Sequence, residues 1–431
     1  MNYTNIKKSD PMVFATIRGE SKRERDGLEL IPSENYVSPA VQEALGSIFT
    51  NKYSEGFPGK RYYGGQMFTD QVENIAIDRA KKLFRADHAN VQPLSGAPAN
   101  LAVYSAWLDP GDTIIGMDLS HGGHLTHGAP LTLPSRVYNF VRYKMKNIET
   151  GEIDYDELRA LAREHKPKMI LAGFSAYPRE YNYAKFVEIA NEVGAVAVAD
   201  MAHIAGLIAG GVLKNPLDYG FHVITTTTHK TLRGPRGGMI LSRGTVSSPL
   251  RAPEKTIENL PTLIDRAVFP GVQGGPHMHQ VAATAVCLGE AMKPQFKKYC
   301  EQILKNAKAL SEELMKHGAK LVTNGTSNHL MLIDCVKSWG LGGKEVEEVL
   351  DSVGMTMNKN AIPDDPNPPY RPSGVRLGTP ASTTRGMKER EMKKIAKLMM
   401  RAIESRKDQG KLDAIRAEVK TLCNKFPIPS V

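Results

Sequence analysis

The chain has 431 residues, a net charge of +10, 41% hydrophobic and 24% charged residues. This is the balance of a soluble globular protein long enough to bury a large core in more than one domain. The longest apolar stretch, residues 204–213, is short and glycine-rich, which excludes a membrane span, and the polar segment Met1–Asp10 lacks the apolar core of a signal peptide. Cys287, Cys300, Cys335 and Cys423 form no C-x-x-C pair and read as reduced thiols of a cytoplasmic protein. The positive charge admits nucleic acid as a partner, but much of it lies in Lys388–Lys411, interleaved with Glu389, Glu391 and Glu404 and without aromatics for base stacking. That segment reads as a solvated helix face, and a basic surface would equally attract a polyanionic small substrate.

Residues Met1–Arg25 read as a helix-containing arm, followed by the polar loop Ile31-Pro-Ser-Glu-Asn-Tyr36. Ser33 and Glu34 are either a helix-capping pair or part of a ligand site. The loop Asn51–Tyr63, followed by Gly64-Gly65, holds three tyrosines, Glu55 and glycines, poor core material and typical of a functional or subunit-contact loop. Helical spacing runs from Gln71 to Phe84. Leu94-Ser-Gly-Ala-Pro-Ala-Asn-Leu101 is a small-residue turn opening a helix through Trp107, a candidate phosphate cup. Thr113–Met117 is a strand leading into Asp118-Leu-Ser-His-Gly-Gly-His-Leu-Thr-His127. The spacing of His121, His124 and His127 admits zinc, but the Gly122-Gly123 pair and the lack of a nearby Cys favour a pocket loop.

Strand and helix then alternate: strand Arg136–Val141, helix Tyr155–His165 capped by Asp154, strand Met169–Ala172, helix Asn182–Val193 and strand Ala195–Ala199. This predicts βαβ units and a largely parallel sheet. Ala195–Ala199 ends in Asp200-Met-Ala-His203. The β-branched run Val223–Thr228 ends in His229 and Lys230 and breaks into Thr-Leu-Arg-Gly-Pro-Arg-Gly-Gly238. In such sheets ligands bind at the carboxyl ends of strands, so Asp200 and Lys230 are expected to face one crevice. A second glycine loop is Phe269–Pro276. Beyond Gln280 come helices Ala282–Ala291 and Gln295–His317, strands Leu321–Thr323 and Leu330–Asp334, helix Gly342–Val353, the proline-rich loop Ala361–Pro372, strand Val375–Gly378 and a final helix Gly386–Arg406. Domains are expected at 1–25 (arm), 26–281 (large) and 282–431 (smaller, α+β).

A partly desolvated lysine is a Schiff-base nucleophile, although a lone lysine at a strand end is more often solvated. With Asp200, a phosphate turn and a pocket histidine, the set points to pyridoxal phosphate, whose ring nitrogen a carboxylate keeps protonated. His124 would stack on the ring, and Arg376 in Ser373-Gly-Val-Arg-Leu-Gly-Thr-Pro380 would fork onto a substrate carboxylate, where a lone strand arginine would be an ion-pair partner.

The stretches T-T-T-T-H-K-T-L-R-G-P-R-G-G, N-K-Y-S-E-G-F-P-G-K-R-Y-Y-G-G, S-H-G-G-H-L-T-H-G, A-D-M-A-H-I-A-G-L and S-G-V-R-L-G-T-P together resemble the serine hydroxymethyltransferases, from about Glu24 to the last helix. The resemblance implies an α/β fold of the type I pyridoxal-phosphate transferases, with a mostly parallel central sheet and a smaller C-terminal α+β domain. It implies Lys230 as the Schiff-base lysine, His229 tuning specificity, Asp200 on the pyridinium, His124 on the ring, and Ser175 and His203 on the cofactor oxygen. Ser95, Gly96 and Ala97 would hold the phosphate, completed by Tyr53 and Gly274-Gly275 from the partner of a homodimer. Ser33, Tyr63, Arg236 and Arg376 would orient the amino acid, Glu55 would handle the serine hydroxyl proton with Tyr62 beside it, and Thr227 would belong to the catalytic set. Leu119, Gly123, His124, Leu125, Asn360, Asn367, Pro368 and Pro369 would meet tetrahydrofolate. Ala97 stands where members often carry a hydroxyl, so that contact would fall to a backbone N–H; Leu94 stands where a polar residue is expected.

The implied activity is reversible transfer of the serine hydroxymethyl group to tetrahydrofolate, leaving glycine. A folate-independent aldolase or an aminotransferase of the same fold would not need the Leu119–Leu125 and Asn360–Pro369 loops. A basic RNA-binding protein with a vestigial fold would show steep salt dependence.

Overall fold

The computed structural model describes residues 3–246, 254–368 and 370–429. The chain divides into two compact units, Val37–Glu301 and Met1–Tyr36 with Gln302–Val431.

The larger unit is built on seven strands: β1 (His88–Asn90), β2 (Thr113–Met117), β3 (Asn139–Tyr143), β4 (Met169–Gly173), β5 (Val196–Asp200), β6 (Val223–Thr227) and β7 (Gly238–Ser242). Their order is β1-β7-β6-β5-β4-β2-β3, and β7 alone runs antiparallel to its neighbours. Strands β4 to β7 are buried along their whole length, which explains their continuous apolar and β-branched composition. Because side chains alternate, Met169, Leu171, Val196, Val198, Val223 and Ile240 share one face. They pack on Ala99, Ala102 and Val103 of helix Gly96–Trp107 and on Leu260 and Ile264. The same alternation sends Asp200, Thr225 and Thr227 toward that helix. This is the mostly parallel α/β sheet expected from the sequence.

The stretch expected as strand Arg136–Val141 is instead a short helix, Leu133–Val137, followed by β3. Pro134 sits in the helix's first turn, where its missing N–H costs nothing, and its carbonyl takes the Tyr138 N–H.

The smaller unit holds an antiparallel sheet of β8 (Lys320–Leu321), β9 (Leu330–Asp334), β10 (Asn358–Asn360) and β11 (Gly374–Gly378), ordered β8-β9-β11-β10. The expected strand Leu321–Thr323 stops at Leu321, because Thr323 turns left-handed at φ 64°. Helix Glu389–Glu404 buries Met392, Ile395, Ala396, Met399, Ala402 and Ile403 on one face. It is not the last helix: Gln409–Asn424 follows, with the Asp408 carboxylate accepting the Lys411 N–H at 3.1 Å as its cap. Among the described residues no helix is long and apolar enough to cross a membrane.

Arg385 ties this unit together. Its buried guanidinium donates to five carbonyls: Phe426 (2.6 Å), Glu24 (3.2 Å), Gly27 (2.7 Å), Arg25 (3.0 Å) and Cys423 (2.9 Å). It thereby caps the C-terminal ends of helices Pro11–Asp26 and Gln409–Asn424 at once. Arg385→Leu should lower stability by about 3–5 kcal/mol, read as a shift in the urea midpoint, because the carbonyls lose a buried charged donor. A midpoint unchanged from that of the parent protein would contradict this.

Candidate active site

The site is assembled at the carboxyl ends of β5 and β6. These strands are parallel neighbours, with Asp200 opposite Thr225. Beyond β6 the chain folds back on itself: the Thr228 N–H bonds Gly237 O (3.1 Å), Thr228 Oγ1 donates to Pro235 O (2.6 Å) and the Gly234 N–H reaches Thr228 O (2.7 Å). This tight loop carries the buried Lys230. Thr231 then sews it to the loop after Asp200, its hydroxyl donating to His203 O and accepting the Gly206 N–H, each at 2.9 Å. A side chain at Gly206 would strike Thr231 O at 2.2 Å, so glycine is what permits the approach. The Asp200 and Lys230 loops are thus brought together.

Asp200 is buried, and its Oδ2 receives Asn100 Nδ2 at 2.9 Å and His127 Nε2 at 3.1 Å, while Oδ1 accepts the Ala202 N–H at 3.1 Å. Burial alone would raise its pKa. The hydrogen bonds it accepts from His127 and Asn100 work against burial, and the carboxyl is held well below the usual range. A side chain on Gly173 would meet Asp200 Cβ at 2.7 Å, so that glycine keeps the carboxylate in place.

His124 and His127 sit on the turn between β2 and β3. A Cβ on Gly122 (φ 110°) or Gly123 would lie 2.7 Å from Tyr177 N or 2.1 Å from Met117 O, so the pair lets this turn press against the end of β2. Ser175 N–H donates to Gly122 O at 2.7 Å, placing Ser175 beside the His124 turn. His203 stacks on Phe174, with centroids 6.3 Å apart. His121 points elsewhere, accepting the Met145 N–H at 3.2 Å. The ligand atoms of His124, His127 and Asp200 lie within 4.8 Å of one another, the set that could bind a cation among the described residues.

His229, next to Lys230, accepts the Gly237 N–H on Nδ1 at 3.3 Å. Burial, with the charges of Arg236 and Lys230, lowers its pKa from 6.5 to about 3. His229 is therefore neutral in the folded protein while the unfolded chain binds its proton below pH 6.5. Stability should be full above that pH and fall as pH drops toward 3, by up to about 1.4 kcal/mol per unit. Urea unfolding of His229→Asn between pH 4 and 6.5 should show a shallower slope than the parent; an identical slope would contradict the neutral, buried imidazole.

The turn expected to hold phosphate leads into helix Gly96–Trp107, whose first-turn N–H groups have no intrahelical partner. A Cβ at Gly96 would lie 2.9 Å from Thr227 Cγ2, and one at Gly238 2.5 Å from Ser95 O, so the turn with Ser95 and Ala97 is seated on the ends of β6 and β7. Leu94 N–H donates to Gln273 Oε1 and Gln273 Nε2 to Gln92 O, each at 3.0 Å, which joins the turn to the Gly274-Gly275 loop. Tyr53 and Glu55 lie against that loop: a Gly275 Cβ would be 3.1 Å from the Tyr53 ring, and one at Gly274 3.7 Å from Glu55 Oε1. The Glu55 charge raises the phenol of Tyr63, which packs edge-on against Tyr53 at 5.3 Å. Tyr62 tilts on Phe269 at 5.6 Å. Arg61 underpins the loop, donating to Ser54 O and Gly56 O (both 2.8 Å), to Asp70 and to Glu73. Arg236, Leu119 and Leu125 are exposed in the same unit.

The remaining expected residues belong to the smaller unit. Ser33 and Glu34 lie in a turn and cap no helix; the next helix, Pro39–Leu45, is capped by Ser38. Arg376 on β11 donates through Nε to Asn358 Oδ1 (3.1 Å), and burial lowers its guanidinium to about 10, still cationic at neutral pH. Asn360 ends β10, opposite Gly374, and Asn367 and Pro368 belong to the following loop, organised by Asp365, whose carboxylate accepts Ile362 N (3.2 Å), Asn367 N (3.0 Å), Ser373 N (2.8 Å) and Ser373 Oγ (2.6 Å). Pro369 lies outside the described residues.

Sequence reasoning missed Asn100, Gln92, Gln273, Arg61 and Asp365, and weighed His127 only as a metal ligand. The one available signal was Asn100, a lone polar residue in the otherwise small and apolar Ala99–Ala102 run. A family model described as serine hydroxymethyltransferase matches residues 6–399. The chain belongs to the serine hydroxymethyltransferase family, and is an enzyme of that family's pyridoxal-phosphate-dependent hydroxymethyltransferase class with its type I α/β fold.

Proposed function

We propose that the protein interconverts L-serine plus tetrahydrofolate with glycine plus 5,10-methylenetetrahydrofolate. The observation that carries this reading is the Thr231 stitch that sets the Lys230 loop against the loop of an ionised Asp200, taken with the family match. The residues present fit pyridoxal phosphate: a carboxylate kept ionised though buried, an amine-bearing loop beside it, and a glycine turn at a helix N-terminus for the phosphate. Lys230 would hold the cofactor, Asp200 its ring nitrogen, His124 its ring face, Ser175 and His203 its oxygen, and Ser95, Gly96 and Ala97 its phosphate. When bound, the cofactor supplies an electron sink for negative charge developing at the amino acid's α-carbon.

The cationic fork of Arg376, with Ser33, Tyr63 and Arg236, would bind and orient the substrate carboxylate. Glu55 would take and return the proton of the serine β-hydroxyl, with Tyr62 alongside and Thr227 lining the site. Neutral His229 would shape specificity beside Lys230 without adding charge. Leu119, Gly123, Leu125, Asn360, Asn367, Pro368 and Pro369 would meet the reduced folate. The protein would act as a homodimer: Tyr53, Tyr62, Met67 and Phe68 are 58–74% exposed, large apolar side chains that a second copy would cover while adding Tyr53, Gly274 and Gly275 to each phosphate cup. All four cysteines are buried and outside disulfides, in keeping with a reducing cytoplasm.

The test is serine cleavage by protein supplied with pyridoxal phosphate, with and without tetrahydrofolate. Glycine should form quickly only when the folate is present. Equal rates without it would replace this reading with a folate-independent aldolase.

A further inference from the structure

The protonation pattern around Asp200 follows from which groups can donate. The Asn100 carbonyl Oδ1 only accepts, so the Thr225 hydroxyl 2.6 Å away must give it its single proton. That fixes the amide's orientation, since the flipped form would turn Oδ1 toward the Asp200 carboxylate. Asn100 Nδ2 then donates both hydrogens, one to Asp200 Oδ2 (2.9 Å) and one to Thr126 Oγ1 (2.8 Å). The Thr126 backbone N–H, which can only donate, points at His124 Nδ1 at 3.2 Å and makes that nitrogen an acceptor, so the Thr126 hydroxyl 2.7 Å away, whose oxygen takes the Asn100 hydrogen, turns its own proton to the same nitrogen. His124 Nδ1 is therefore unprotonated, and the neutral ring carries its proton on Nε2. His127 is set in the same way: Nδ1 accepts the His124 N–H at 3.3 Å, leaving Nε2–H for Asp200.

We propose that Asn100 is a positioning residue that, through this one-directional chain from Thr225, fixes the tautomer of His124 and the acceptor role of Asp200 together. The role given to it rests on the pyridoxal-phosphate reading above, because His124 and Asp200 are the groups assigned to the cofactor's ring face and ring nitrogen. Asn100 lies one turn into the helix whose N-terminus forms the phosphate cup, so one side chain links the helix under the phosphate site to the ring site. Asn100, Thr225 and Thr126 are all buried, which makes each missing proton costly.

The experiment uses protein labelled with ¹⁵N-histidine, without and with pyridoxal phosphate, as parent, Asn100→Asp, Thr225→Val and Thr225→Ser. In the parent, long-range ¹H–¹⁵N spectra should show His124 as the Nε2–H tautomer. Thr225→Val, which keeps the shape and removes the proton source, should give a mixture of tautomers and weaken cofactor affinity by roughly ten- to hundredfold. Asn100→Asp should do the same, and Thr225→Ser should restore both properties. A His124 spectrum unchanged in Thr225→Val overturns the proposal, and so does a parent His124 carrying its proton on Nδ1. Parent protein that shows the expected tautomer yet binds no pyridoxal phosphate would refute the cofactor reading while leaving the tautomer chain standing.

Discussion

Lys230→Gln is expected to cut multiple turnover by at least about 10⁴-fold, because an amide cannot supply the nucleophilic amine that holds an aldehyde cofactor. The substitution should leave the fold alone. The loop is pinned through Thr228 and Thr231 and through backbone bonds, none of which uses the Lys230 side chain. A melting temperature within a few degrees of the parent's, measured beside the rate, would assign the loss to chemistry and not to unfolding. Retained multiple turnover in that variant would remove the lysine from the mechanism.

Asp200→Asn is expected to lower turnover by about 10³-fold, on the scale of removing a preorganised charge from a buried site. The reason lies in what surrounds the carboxylate. Asn100 and His127 both aim donors at Oδ2. An amide NH₂ at that place would face two donors, and an amide oxygen there would carry too little charge to keep a ring nitrogen protonated. Stability should also fall by about 1–3 kcal/mol, since buried donors lose an ionised acceptor. Asp200→Glu keeps the charge but overfills a site where Gly173 already leaves no space, so it should rescue activity only in part. Turnover of Asp200→Asn within a few-fold of the parent would show that the carboxylate does not act on the reacting system.

Much of the architecture was legible because it is written in local patterns. Val223–Thr228 is a β-branched run ending in His229 and Lys230, and the strand occupies Val223–Thr227. Thr113–Met117 and Leu330–Asp334 occur as strands with the bounds their composition predicts. The failures are equally physical. Arg136 and Val137 have strand-compatible composition, yet Pro134 starts a helix before them. The expected final helix stops at Arg406, and Gln409–Asn424, opened only by the Asp408 cap, was missed. In the site, the residues that touch through a single strand or loop were readable, but those that act across elements were not. Asn100 meets Asp200 across 100 positions of sequence, and Arg385 reaches Glu24 across 361 and Gly27 across 358. Such contacts leave no period or motif; only alternation along β5 and β6, which points Asp200 and Thr225 at one helix, hinted at a partner there.

The most direct test of the central claim is borohydride reduction of the protein mixed with pyridoxal phosphate, followed by mass mapping of its peptides. One phosphopyridoxyl group per chain should be found, fixed on Lys230, and Asp200→Asn should reduce its yield. Modification spread over surface lysines, with the peptide containing Lys230 unmodified, would contradict the account.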